Sequence, residues 1–86
     1  MDYLAERPVT ALVYQRNQHF INFFEWPSPH EADRSTVAMA HRGYNLIHWI
    51  KGGMTYWAVS DLNQHELQQF VQIVQTQELL PQESDR

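Results

Sequence analysis

Gly52-Gly53-Met54-Thr55-Tyr56-Trp57-Ala58-Val59-Ser60-Asp61-Leu62-Asn63-Gln64-His65-Glu66-Leu67 holds a turn, a strand and a helix start in one stretch. Adjacent glycines reach the positive φ values that a tight hairpin turn demands. Met54 to Ser60 is dense in β-branched and aromatic side chains and reads as a strand. Asn63 reads as a helix N-cap, its side-chain oxygen accepting from free N–H groups of the first turn. Glu66 stands three residues on, where a capping box would return its carboxylate to the Asn63 amide. Leu62 and Leu67 occupy the positions of a hydrophobic staple.

Downstream, the periodicity predicts a helix from Gln64 to about Leu79, with Leu67, Phe70, Val71 and Val74 on one stripe and glutamines elsewhere. Such a helix lies on a sheet by one side and draws its stability from burial. Pro81 and the polar residues after it end the fold as a tail over 81–86. Upstream, Gly43 to Ile50 reads as the strand that Lys51-Gly52-Gly53 reverses. A two-residue loop sets Trp49 opposite Tyr56, a three-residue loop shifts the register by one, and both stay open. Earlier strands are read at Asp2–Leu4, Val9–Tyr14 and His19–Trp26, the last two joined as a hairpin through Arg16-Asn17-Gln18. Pro27-Ser28-Pro29 stops the sheet, and 27–40 reads as a polar loop with structure resuming near Met39. The sum is α+β: one domain over residues 1–80, an antiparallel meander of four to five strands with one C-terminal amphipathic helix on a face. The strands are apolar on both faces, so something besides the helix must shield the second.

Composition narrows the function. Eleven aromatics among 86 residues suffice for a small core and argue against disorder. Without cysteine there is no disulfide, thiolate nucleophile or Cys-ligated metal. The net charge is −4 and the six Lys and Arg are scattered, which speaks against a nucleic-acid partner. No apolar run reaches the length of a membrane span, and the first residues lack the pattern of a signal peptide, so no direct membrane contact is expected.

Chemistry-bearing residues are sparse. The histidines, His19, His30, His41, His48 and His65, fall in no HxH, HxxxH or HExxH spacing, so no metal or other cofactor is expected. Ser28, Ser35, Ser60, Ser84, Thr10, Thr36 and Thr55 sit in no nucleophile elbow, and Asp61 beside Ser60 reads as an acidic residue at the positive end of a helix. Gly52-Gly53 lies between two strands, which excludes a phosphate loop. No catalytic residue is assigned and the chain is read as a non-enzyme. The aromatic group admits three roles: core packing, a stacking platform for single strands that the negative charge disfavours, and a protein-contact patch. For the patch the candidates are Phe20, Phe24, Trp26, Trp49, Tyr56 and Trp57.

Two stretches carry a family resemblance. Asp2-Tyr3-Leu4…Arg7-Pro8-Val9…Ala11-Leu12-Val13-Tyr14…His19-Phe20-Ile21-Asn22…Phe24…Trp26-Pro27 resembles the segment after the membrane span in transmembrane anti-sigma factors, regulators of extracytoplasmic-function sigma factors. Gly43-Tyr44-Asn45…Trp49…Gly52-Gly53-Met54-Thr55-Tyr56-Trp57-Ala58-Val59-Ser60-Asp61-Leu62-Asn63…Glu66-Leu67 is similar to the end of the same proteins, and is the more specific of the two. The resemblance implies a sensory or regulatory domain on the periplasmic side, acting in transcription regulation by protein contact. It implies a fragment, since the sigma-binding helices and the membrane helix have no counterpart here. The sigma factor is thus a partner only through the absent cytoplasmic domain. An open second face or edge then predicts self-association as a homodimer, and the 27–40 loop is the candidate for signal or protease access. The alternative is a stand-alone small-ligand-binding module with an aromatic pocket between helix and sheet.

Overall fold

Gly52 and Gly53 form a two-residue loop with φ of 57° and 80° in the computed structural model, which describes residues 2–4 and 7–79. They join β5 (Tyr44–Lys51) to β6 (Met54–Ser60), setting Trp49 opposite Tyr56 and Leu46 opposite Val59. The glycines alone thus decide between the two registers open in the sequence. The same turn geometry recurs twice. Asn17 and Gln18, at φ 52° and 67°, join β2 (Arg7–Arg16) to β3 (His19–Pro27). Arg42 and Gly43, at φ 53° and 83°, join β4 (Arg34–His41) to β5. Paired positive φ values match the twist of the flanking strands, which is why such short loops close hairpins.

The short β1 (Asp2–Leu4) pairs with β2, and the sheet runs β1-β2-β3-β6-β5-β4, antiparallel throughout. The α+β architecture read from the sequence is the observed one, with two hairpin runs joined by β6 against β3. The reading of 27–40 as a loop is corrected, because β4 takes 34–41 and leaves residues 28–33 as the connection. β4 escapes notice in the sequence because it is exposed along its whole length, carries only Ala38 and Ala40 as apolar side chains on the helix side, and is turned by Arg42, a side chain rarely at positive φ. The connection must pass over the ends of β6 and β5 to reach the far edge, and it is tied there. Ser28 N donates to Gly53 O at 2.7 Å, Gly52 N donates to Asp33 Oδ1 at 2.9 Å, and Glu31 N donates to Ser28 O at 3.0 Å. Buried Ser28 and Thr55 share a hydroxyl bond of 2.7 Å beneath it.

The helix α1 (Gln64–Leu79) lies on one face of the sheet. Its stripe of Leu67, Phe70 and Val71 is buried with Leu62 against Ile21, Phe23, Ile47, Trp49, Tyr56 and Ala58, and Val74 packs at the margin. Phe23 is the centre, with the rings of Trp49, Tyr56 and Phe70 at 6.0 to 6.1 Å around it. Asn63 caps the helix as expected, accepting from Glu66 N at 2.9 Å. The reciprocal half of the capping box is corrected: the Glu66 carboxylate turns to the β2–β3 turn, where Asn17 Nδ2 donates at 3.3 Å and Arg16 Nε lies at 3.7 Å. An available cation and amide draw it away from its own backbone. The tail expected at 81–86 lies outside the described residues.

Two stability measurements follow. Asn63→Ala removes the cap acceptor and lowers unfolding stability by about 1 kcal/mol in urea titration. Gln18→Gly relieves a left-handed side chain and raises it, by up to about 1 kcal/mol.

Candidate functional site

Strand pleating sends alternate residues to opposite faces, so the observed registers sort every candidate. On the face away from the helix, two rows cross the sheet: Ala11, Phe24, Trp57, His48, Val37, and Val13, Asn22, Val59, Leu46, Met39. These rows contain no Asp, Glu, Lys or Arg. Val13 is 64 % exposed and Met39 45 %, while Phe24, Trp57, Val59 and Leu46 are half-buried by their neighbours alone. Phe20 and Tyr44, both exposed, extend the patch toward the helix-start end. The row of Trp26, Thr55, Ile50 and Arg34 closes it at the other end, where the 28–33 connection lies.

Of the sequence candidates, Phe20, Phe24, Trp26 and Trp57 share this open face. Trp49 and Tyr56 do not: they stack on one another at 5.0 Å beneath the helix, 3 % and 5 % exposed. The helix cap, Asn63 and Glu66, stands on the helix side and serves structure. Val13, Val37, Met39, Leu46 and Val59 also belong to the open face, and an aromatic pattern alone does not single them out. The parity is fixed only by the two-residue loops Asn17-Gln18 and Gly52-Gly53, whereas the sequence also admits three-residue turns at Arg16-Asn17-Gln18 and Lys51-Gly52-Gly53.

His48 lies flat on Trp57, centroids 4.2 Å apart and planes 14° from parallel. Burial against the ring, with a smaller push from the Arg34 cation, lowers its pKa below the ordinary 6.5. The other polar groups are structural in their contacts. Ser60 Oγ donates to Phe20 O at 2.7 Å and accepts from Leu62 N at 3.1 Å, so both its roles are taken. Asp61 pairs with His19 Nδ1 at 2.8 Å rather than with the helix N-terminus. Asn45 Nδ2 donates to Leu62 O at 2.7 Å, and Arg16 Nη2 donates to Gln69 Oε1 at 3.1 Å, fastening the helix start to the sheet. Among the described residues no three His, Asp or Glu converge on a point where an ion would sit. No described helix is long and apolar enough to cross a membrane. A cleft of about 570 Å³ opens beside the connection, with Trp49, Tyr56 and Met54 as its floor and Asp33, Arg34 and Lys51 on its rim. Compared with protein-family models, curated proteins and solved structures, the chain matches none.

The His48 environment has a pH signature. Well above pH 6.5 the ring is neutral folded or unfolded and contributes no pH dependence. As pH falls from 6.5 through the lower folded pKa, the unfolded chain binds the proton first and stability drops. His48→Phe, which keeps a ring on Trp57, removes that part of the acid loss in urea titrations at stepped pH. An unchanged pH profile would mean that His48 is solvated in the fold.

Proposed function

We propose that this chain is a non-catalytic sensory or regulatory domain that works by protein contact, the periplasmic part of a transmembrane anti-sigma factor. The observation that carries the contact role is the open sheet face, whose two middle rows hold no formal charge. A sheet face meant for water alternates polar and charged side chains, and soluble surfaces rarely leave a contiguous apolar area of several hundred Å² uncovered. Such a face is an interaction surface for another protein or for a second copy of the chain. The anti-sigma assignment rests on the two resembling stretches, whose residues include the turn glycines, the Trp49–Tyr56 pair and the Asn63 cap. Contact with a sigma factor would belong to a cytoplasmic helical domain, not to any of these 86 residues.

A small-ligand module is the second reading, favoured by the cleft beside Trp49 and Tyr56. It is the weaker one, because those two rings are almost wholly enclosed by the core and offer a ligand little ring surface to stack on.

The genomic locus tests the leading reading. We expect in-frame coding, upstream of Met1, for one apolar span preceded by a helical domain, and a neighbouring sigma-factor gene. A locus with none of these removes the anti-sigma assignment.

A further inference from the structure

The open face has the properties of half an interface whose other half is itself. We propose that it stacks on the same face of a second copy of this chain, sheet on sheet, as a two-fold dimer with both helices outside. The proposal rests on reading this face as a protein-contact surface, and it names the occupant.

Charge is the first argument. Each copy carries a net −4, so most approaches between copies are repulsive. The two middle rows, Ala11-Phe24-Trp57-His48-Val37 and Val13-Asn22-Val59-Leu46-Met39, bring no like charges together. A partner selected by charge would find nothing there to select.

Shape is the second. The row through Phe24, Trp57 and His48 holds rings, and its neighbour through Val13, Asn22 and Val59 holds smaller side chains. A two-fold axis running between the rows sets each ring-bearing row over the partner's smaller row, which is what a self-complementary contact requires. Sheets stacked this way stand ~10 Å apart with side chains interleaved.

Area is the third. Five strands at ~4.8 Å spacing, with about six residues of each at ~3.3 Å, give a face roughly 20 Å square. Two such faces together bury on the order of 1000 Å², the lower end of specific interfaces. The dimer is therefore concentration-dependent.

Sedimentation equilibrium of the chain from about 1 µM to about 1 mM tests this. The expected result is a mass rising toward twice 10.2 kDa. Val13→Lys and Met39→Lys, both at exposed positions, should each weaken the dimer by about tenfold or more while far-UV circular dichroism stays unchanged. Ala38→Pro on the β4 edge should leave it intact. A chain monomeric throughout overturns the second-copy assignment, and leaves the regulatory reading to be judged by its locus. A dimer insensitive to both lysines but lost with Ala38→Pro overturns face stacking in favour of edge pairing.

Discussion

The two-residue period of β6 is the constraint from which the rest of this molecule follows. Tyr56 and Trp57 are neighbours in the chain, yet the pleat puts them on opposite sides of the sheet. Tyr56 goes under the helix with Ala58, and Trp57 goes to the open side with Val59. Because β6 pairs with both β3 and β5, its parity is imposed across the sheet, and every large side chain is assigned to a face by register with it. A slip of one residue would exchange the faces wholesale, bringing Trp57 into the core and Tyr56 out of it. The glycine turn on one side and the Asn63 cap on the other hold β6 in place at its two ends.

The crossing connection answers a topological demand. β3 and β4 follow one another in the chain but lie on opposite sides of the β6–β5 pair, so residues 28–33 must traverse the strand ends. Backbone carried over a sheet end needs hydrogen-bond partners, and the Gly52-Gly53 turn provides both a carbonyl and an amide. The Cα of Pro29 lies 3.7 Å from where a Cβ on Gly53 would be, so the turn and the connection touch without side chains between them. This is a different object from the access loop expected of the sequence. It is short and fastened by its ends, and it shields Thr55 from water.

Much of this was readable without coordinates. The helix, its apolar stripe, its cap and the strands at β2, β3, β5 and β6 all carry strong local signals. β4 does not. It buries none of its residues, so no apolar face marks it, and an arginine at positive φ conceals the turn after it. The pairing of β6 with β3 is a long-range choice that no local pattern announces. The aromatic candidates span both faces for a simpler reason: ring type groups them together, whereas sheet geometry sorts them by parity. Trp49 and Tyr56 belong with Phe23, and Val13, Val59 and Met39 belong with Trp57.

The open face then has a physical cause in the size of the domain. One helix of this length spans the three strands β3, β6 and β5, and even on its own side it leaves Leu12 and Tyr14 partly in water. Among the described residues no second helix covers the opposite face, a shortage of one layer. If the second face were only a by-product of that shortage, exposed positions on its strands would accept charge, as the helix-side positions Arg16 and Lys51 do. Across ten positions in five strands none does. Two adjoining rows kept free of charge while exposed to water cost solubility, and that cost is offset when another protein surface covers them. In the proposed dimer the second copy's face would be that missing layer.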